Sequence, residues 1–153
     1  MKKILIQTLI ISLFFIIFNA TAEIKHIKDG NVDAKVKLVV FESLTCSHCG
    51  DFHRDIYPKL KTDFIDKNLI SIEYRNFPLD IAAFNAAKIA HCRNDGKSEI
   101  LHHLYNNQSS WVRGSTIEDL NKNLKRVVQE SGFKLDFDNC ISNSNIEDFI
   151  LED

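Results

Sequence analysis

The feature that most constrains the fold is an apolar run that leads directly into a pair of cysteines and then into a helical pattern. The run "VKLVVFES" begins at Val36 and is nearly continuous in β-branched and aromatic residues, which predicts a strand buried on both faces of a sheet. Cys46 and Cys49 follow this strand at once. Apolar residues then recur at spacings of four and predict a helix over 47–67. These residues are Phe52, Ile56, Leu60 and Phe64.

A second strand completes a βαβ unit. "LISIEYRNF" over 69–77 has strand character, and Pro78 ends it. Strand, helix and strand within about forty residues predict a right-handed crossover and parallel pairing. "EIKHI" over 23–27 is an optional edge strand before a Gly/Asn/Asp-rich turn. Pro58 should kink the connecting helix because it lacks a backbone donor.

The rest of the chain, from residue 80 to about 150, is helical in pattern and has no strand signal. The clearest helix is "STIEDLNKNLKRVVQESG", where Ser115 and Glu118 would form a capping box and Gly132 a C-cap. We expect Trp111 to pack inside this helical layer.

Residues 1–22 have the pattern of a cleavable signal peptide. Two lysines precede an apolar segment from Leu9 to Phe18, and the small residues "ATA" follow. The segment is shorter than the roughly 20 residues of a membrane span, although an uncleaved anchor is the alternative. Cleavage would place the chain in the periplasm, where an oxidising environment favours disulfides.

The charge balance excludes a nucleic-acid-binding protein. The chain carries a net charge of −2, and cleavage after Ala22 removes two lysines and no acid, which gives −4. Binding to phosphates requires a basic surface, and the sequence has no basic stripe and no phosphate-binding Gly-rich loop. We therefore expect no nucleic-acid partner, and contact with the membrane only through the signal peptide.

The chemistry is concentrated in the Cys-x-x-Cys pair at the predicted junction of strand and helix. Free N–H groups of the first helical turn and the helix dipole stabilise a thiolate on Cys46, which makes it the nucleophile. His48, as a cation or a donor, would stabilise this thiolate further. Cys49, one turn deeper, would be the resolving cysteine. Stabilising the reduced form makes the corresponding disulfide a stronger oxidant.

At these residues the chain resembles a known family. "FESLTCSHCGDFH", "YPKLKTDFI", "YRNFPLD" and "AAKIAHC" are similar to the exported DsbA-like thiol:disulfide oxidoreductases of the thioredoxin superfamily, over roughly residues 30 to 150. The resemblance implies an α/β, thioredoxin-like fold with a helical insertion. It implies that Cys46 is the attacked, solvent-facing cysteine and Cys49 the buried one, with Ser47 and His48 tuning the redox potential.

The resemblance also implies partners and chemistry. Reduced exported proteins would be the substrates, and a quinone-coupled membrane protein would reoxidise the dithiol. No metal or organic cofactor is needed.

Two departures from the family pattern stand out. The family's buried acid, six positions before the first cysteine, is here Val40, and Glu42 is the candidate substitute as proton acceptor. The family also places a cis-proline beside the dithiol, a place that neither Pro58 nor Pro78 occupies. We therefore interpret the chain as one from which the C-terminal strands are missing.

The predicted organisation has three parts. Residues 1–22 are the signal peptide, residues 23–79 the thioredoxin-like βαβ half with the active site, and residues 80–153 the helical insertion with the start of the return helix.

Cys92 and Cys140 both fall in the helical part, and the resemblance suggests that they form a disulfide. Such a bond would close a loop of about 48 residues and stabilise the fold by about 3–4 kcal/mol in the chain-entropy model. Two buried free thiols are the alternative.

Other interpretations of the motif remain open. Cys46, Cys49 and His53 have a spacing that could bind zinc with a fourth ligand from elsewhere. A non-catalytic thioredoxin-like binding domain is the second alternative. His53 otherwise belongs on the helix surface. Three further histidines, His91, His102 and His103, are expected to be exposed or hydrogen-bonded without a catalytic role.

Overall fold

Within residues 23–153 the sheet has three strands, and the last of them in sequence lies at its centre. The computed structural model describes residues 23–153, so the predicted signal peptide lies outside the described residues. The strands are β1 (Ile27–Gly30), β2 (Val36–Glu42) and β3 (Ile70–Asn76). β3 pairs in parallel with β2 and antiparallel with β1, in the order β1-β3-β2. The predicted βαβ unit is confirmed.

The edges of the sheet differ from the prediction. β1 begins at Ile27, the last residue of the expected strand, and takes in residues assigned to a turn. The prediction that β2 is buried on both faces is wrong, since Val39 and Phe41 are 53% and 60% exposed. Among the described residues β2 has β3 on one side only. The central strand carries the burial instead, with Ile72 and Tyr74 almost fully enclosed.

One long helix, α1, spans residues 47–65 and connects β2 to β3. It consists of α turns at Ser47–Asp51 and Tyr57–Leu60, each followed by a π turn, at Phe52–Ile56 and Lys61–Ile65. Pro58 lies in the second α turn, so the departures from α geometry flank the residue that was predicted to kink the helix.

The π turns affect which side of α1 is buried. A π turn contains more residues than an α turn, so a repeat of four residues keeps to one side of this helix. The buried series is His53, Tyr57 and Ile65, one position after the apolar series that predicted the helix. Ile56 and Phe64 of that apolar series are 56% and 43% exposed.

The helical part packs on the same core as the sheet. Trp111 is fully buried and donates its indole N–H to the carbonyl of Leu104 at 3.0 Å, as expected of a residue inside this layer. The end of the chain, over 135–153, forms two short helices, and a short helix that ends at Trp111 was not predicted. The helices are α2 (Ile81–His91), α3 (Glu99–Asn106), α4 (Gln108–Trp111), α5 (Ile117–Glu130), α6 (Phe137–Ser142) and α7 (Ser144–Glu152). None of the helices within residues 23–153 is long and apolar enough to cross a membrane.

The caps of α5 correct one detail of the sequence analysis. Thr116, rather than Ser115, is the N-cap, and its side chain accepts the N–H of Asp119 at 3.2 Å. The helix begins one residue later than predicted, so the capping positions are Thr116 and Asp119 instead of Ser115 and Glu118. Gly132 does follow the helix with a left-handed φ of +78°.

A disulfide joins the end of α2 to α6. Cys92 and Cys140 are bonded, with their Cα atoms 5.4 Å apart, which confirms the suggested pairing. Cys140 is fully buried, so the bond lies within the helical part of the core.

Candidate active site

The dithiol lies where β2 passes into α1. Cys46 is the N-cap of the helix, and its Sγ accepts the backbone N–H of Cys49 at 3.4 Å. The Cys46 carbonyl accepts the N–H of Gly50 at 3.1 Å. Both cysteines are unbonded and half-buried, so the structure represents the reduced form. The sulfur of Cys46 thus lies among the free donors of the first helical turn.

Cys49 has the opposite environment. Burial, followed by its hydrogen bond to Cys46 and the nearby charges of Cys46 and Glu42, raises the pKa of the Cys49 thiol to about 11. Cys49 therefore keeps its proton at neutral pH. This property suits a resolving cysteine, which must be protonated after it leaves a disulfide.

His48, the predicted tuning residue, extends into solvent. Its side chain is 95% exposed, and Nδ1 lies 3.7 Å from the carboxylate of Asp51. The neighbouring negative charge offsets a positive charge on the imidazole, and an exposed pair of this kind interacts weakly. A tuning role of His48 stays a prediction.

A glutamine that the sequence did not single out holds the active-site loop. The Gln108 amide donates from Nε2 to the carbonyls of Leu44 and Cys46, both at 2.9 Å. Gly50 leaves room for this side chain, since a Cβ at Gly50 would lie 2.5 Å from Gln108 Oε1. The segment "NNQSS" gave no signal of this role, because the contact depends on how α4 packs against the loop.

The segment after β3 braces the same loop from another side. Thr45 donates its hydroxyl to the Asp80 carboxylate at 2.8 Å, and the Leu79 N–H donates to Ser43 Oγ at 3.3 Å. Asp80 also caps α2 by accepting the N–H of Ala83 at 2.7 Å. The loop that carries Cys46 is therefore fixed by helices of the second half of the chain.

Glu42 and His53 form a buried pair behind the dithiol. Glu42 Oε2 lies 2.8 Å from His53 Nε2, and both side chains are almost completely buried. The prediction that His53 lies on the helix surface is therefore wrong, because the π turn at Phe52–Ile56 belongs to the buried side of α1. Glu42, the candidate proton acceptor, does lie close enough for its charge to act on Cys49.

The contacts of His53 leave it no nitrogen for a metal. Its other ring nitrogen, Nδ1, lies 2.9 Å from Nδ1 of His102. Across residues 23–153, no three histidine, cysteine, aspartate or glutamate side chains converge as a metal site would require. The described residues therefore give no support to a zinc site formed by Cys46, Cys49 and His53.

A dithiol at the start of the crossover helix of a βαβ sheet defines the class of thioredoxin-fold proteins. Comparison with protein families agrees, since the family described as Thioredoxin matches residues 23–153. The chain belongs to this family, and the thioredoxin-like fold with added helices is confirmed.

Relatives support the DsbA-like resemblance. A Rickettsia bellii protein, provisionally named a protein-disulfide oxidoreductase, is 30% identical over 125 residues, which is 80% of this chain and 47% of the relative. The disulfide bond formation protein D of Bacillus subtilis is 27% identical over 67% of this chain and 50% of its own length. The chain thus spans about half the length of these relatives.

A solved structure gives the same result. The crystal structure of alpha-DsbA1 from Wolbachia pipientis is similar with a TM-score of 0.74 and 32% identity, covering 83% of this chain and 64% of that one.

Proposed function

We propose that this chain is a thiol:disulfide oxidoreductase that exchanges disulfides with exported proteins through Cys46, Ser47, His48 and Cys49. The observation that carries the proposal is the asymmetry of the dithiol. Cys46 Sγ lies at the N-terminus of α1 and accepts a backbone N–H of its first turn, while the pKa of Cys49 is raised.

The reaction follows from this asymmetry. A substrate thiolate attacks Cys46 Sγ of the oxidised protein, the Cys46–Cys49 bond breaks, and Cys49 leaves with the electron pair and gains a proton. A second substrate thiolate then attacks the mixed disulfide at the substrate sulfur and releases Cys46 as a thiolate. The substrate is oxidised by two electrons, and the protein is left as a dithiol. His48, which is exposed beside this exchange, would act on the charge of Cys46.

Protein substrates suit the surface beside the site. Phe77, Leu79 and Ile81 are each about 60% exposed on the segment that braces the active-site loop. Exposed apolar side chains in a group mark a surface for contact with apolar segments, which unfolded proteins offer. The name of the Bacillus subtilis relative, a disulfide bond formation protein, accords with this class of substrate.

Turnover requires an oxidant for the dithiol, and we assign this role to a membrane protein that passes the two electrons to a quinone. The assignment rests on the DsbA-like resemblance and on the proposed periplasmic location, which in turn rests on cleavage of residues 1–22. The mass of the protein recovered from the periplasm tests this cleavage, since a cleaved chain begins at Glu23. Within that chain, residues 23–79 would carry the dithiol and residues 80–153 the helical insertion.

Alkylation of the reduced protein against pH tests the proposal. We expect Cys46 to react rapidly well below pH 8, because its thiolate is stabilised at the helix N-terminus. The Cys46→Ser variant supplies the control, since its remaining thiol, Cys49, should react only at high pH. A Cys46 that titrates like an ordinary thiol, with the rate falling about tenfold for each pH unit below 8, would overturn it.

Trapping of substrate gives an independent test. In Cys49→Ser the Cys46 thiolate can attack a disulfide of an unfolded protein, which releases one substrate thiol. The mixed disulfide at Cys46 then has no Cys49 thiol to resolve it, so adducts should accumulate. Cys46→Ser should form none. Absence of adducts from Cys49→Ser, with ordinary thiol reactivity, would favour a non-catalytic binding domain, for which the exposed apolar residues of β2 provide a surface.

A further inference from the structure

Four titratable side chains form one hydrogen-bonded line through the core. Glu42, at the end of β2, contacts His53 of α1 at 2.8 Å. His53 Nδ1 lies 2.9 Å from His102 Nδ1 of α3. His102 Nε2 in turn lies 2.8 Å from Asp29 Oδ2 of β1. Both nitrogens of both rings are thus used, and the line crosses from the dithiol side of the sheet to its β1 edge.

The two ends of the line differ in access to water. The side chains of Glu42 and His53 are 4% and 0% exposed. Those of His102 and Asp29 are 15% and 14% exposed. Protons can therefore enter or leave from solvent at the Asp29 end, whereas the Glu42 end is closed.

The closed end faces the dithiol. The negative charge of Glu42 acts on Cys49 and helps to raise its pKa. Glu42 Oε1 is buried and has no hydrogen-bond partner among the described residues. Glu42 lines a small cavity of about 10 Å³ together with Tyr105, whose hydroxyl likewise lacks a partner of good geometry there. One carboxylate oxygen is therefore held by His53, and the nearest polar neighbour of the other is the Tyr105 hydroxyl.

The hydrogen bonds require a mobile proton. Three links join the four groups, and each link needs one proton, but two carboxylates with two neutral imidazoles supply only two. With both Nδ1 atoms unprotonated, the His53–His102 contact would place two lone pairs 2.9 Å apart. The line therefore holds one proton more than two neutral imidazoles supply. When each proton moves across its own hydrogen bond, the extra charge moves between Asp29 and Glu42 without rotation of a ring.

The groups packed around the line do not compete for this proton. Tyr57, Tyr74 and Tyr105 contact the two imidazoles, and Tyr74 donates its hydroxyl to Asp29 at 2.8 Å. Burial, and then the charges of Asp29 or Glu42, raise the pKa of all three tyrosines, so they stay neutral. Other titratable neighbours are Cys49 and Cys46, which lie near Tyr105, and Asp66, which lies near Tyr57.

Asp29 is held as an anion at the open end. Burial alone would raise its pKa, but hydrogen bonds from His102, Ser98 and Tyr74 outweigh burial and lower the pKa to about 2. The carboxylate therefore keeps the His102 ring oriented with Nε2 directed at Asp29 and Nδ1 directed at His53.

We propose that Glu42, His53, His102 and Asp29 form a proton relay that serves Cys49 from solvent. The inference rests on the proposed function. When a substrate thiolate attacks Cys46, the S–S bond breaks and its electron pair goes to Cys49 Sγ. Glu42 takes a proton from His53 and passes one to Cys49. His102 replaces the proton on His53, and Asp29 passes to His102 a proton that it takes from water. Re-formation of the disulfide runs the sequence in reverse.

The test uses single-turnover opening of the Cys46–Cys49 disulfide by a small thiol, with the rate divided by thiolate concentration. In the wild-type protein this rate should be nearly flat between pH 6 and 8. In His102→Gln, which interrupts the relay away from the reacting sulfur atoms, it should fall about tenfold at pH 8 and little at pH 6. The variant should also show a larger solvent deuterium isotope effect, which a structural perturbation alone would not produce.

His103→Gln is the matched control. It makes the same substitution at the next position of α3, and the His103 ring contacts the Val127 carbonyl and Phe133 rather than the relay. Its rate, pH profile and isotope effect should equal those of the wild-type protein. Equal profiles for His102→Gln and His103→Gln would overturn the relay and leave the proposed function intact.

A measurement on the wild-type chain tests the proton relay even if a variant fails to fold or small thiols fail to reduce the disulfide. Nitrogen NMR of the histidine rings should show one proton shared between His53 and His102. Chemical oxidation of the dithiol to the disulfide should change that protonation, because Cys49 gives up its proton to the line. Ring shifts that are identical in the dithiol and disulfide forms would overturn the relay, whereas failure of the disulfide to react with thiols would overturn the proposed function.

Discussion

His91 is held in a single neutral form by its two ring contacts. Nδ1 lies 3.2 Å from the Lys25 carbonyl and can only donate to it, while Nε2 lies 3.1 Å from the Asn76 amide nitrogen and accepts from it. A proton on Nε2 would break the second contact. Burial, the larger cause, likewise disfavours the charged ring and lowers the pKa of His91 to about 4.

We expect His91 to make stability depend on pH between about 4 and 6.5. In this range the unfolded chain binds a proton at His91 and the folded protein does not, so the free energy of unfolding rises with pH. Above pH 6.5 the neutral His91 contributes about 3 kcal/mol to the free energy of unfolding, and this contribution is lost as the pH falls to 4. Urea unfolding of the wild-type protein and of His91→Gln measures it as the difference between their pH slopes. The half-exposed His103 supplies the control, and equal slopes for His91→Gln and wild type would contradict the assignment.

Glu42 should set part of the proton affinity of Cys49. In a Cys46→Ser background, where Cys49 is the only free thiol, Glu42→Gln should lower the pKa of Cys49 because a buried negative charge is removed. Thiolate absorbance against pH gives the value. Asp63→Asn, which removes a charge further along α1, should leave it unchanged. A pKa that does not move in Glu42→Gln would show that burial alone accounts for the shift.

The sequence predicts the candidate reacting residues more directly than it predicts the buried groups behind them. Cys46 and Cys49 carry their chemistry in their spacing, whereas Glu42 was inferred only from its place on the strand. His53 was assigned to the surface because a regular helix was assumed. Its burial follows from π turns, which residue types do not reveal.

Within the elements, the junction of α1 and α4 is the point where a small change should affect the site. Gly50→Ala places a Cβ against Gln108 Oε1, and the flexible amide can yield only by giving up its bonds to Leu44 and Cys46. We expect a loss of about 1–2 kcal/mol in the free energy of unfolding, the usual worth of two such bonds.

A double-mutant cycle checks this expectation. Gln108→Ala should cost a similar amount, and Gly50→Ala combined with Gln108→Ala should cost little more than Gln108→Ala alone, since the clash and the bonds are the same interaction. Additive losses, measured by urea unfolding, would indicate that the two residues act independently.

The order of the elements was predictable from local patterns, but their exposure was not. Strand β2 shows why, because its apolar run is equally consistent with a central or an edge strand, and position in the sheet depends on pairing between residues far apart. The same holds for α1, whose place in the sequence was predicted while its buried side was displaced by one residue.

At the scale of the whole molecule, the Cys92–Cys140 bond closes a loop of 48 residues within the helical part. In a Cys46→Ser/Cys49→Ser background, reduction of this bond should lower the free energy of unfolding by about 4 kcal/mol, mainly through the entropy of the unfolded chain. Urea unfolding with and without reductant measures the loss while every sulfur atom stays in place. A loss below about 1 kcal/mol would show that the packing of α2 on α6 suffices without the covalent link.

The central position of β3 also bears on the order in which the fold can form. A chain that emerges N-terminus first exposes β1 and β2 before their partner Ile70–Asn76 exists, and neither pairs with the other. Neither strand can pair until β3 has been synthesised, so we expect the sheet to nucleate at β3. Truncation of its buried Ile72 to Val should consequently slow folding rather than accelerate unfolding.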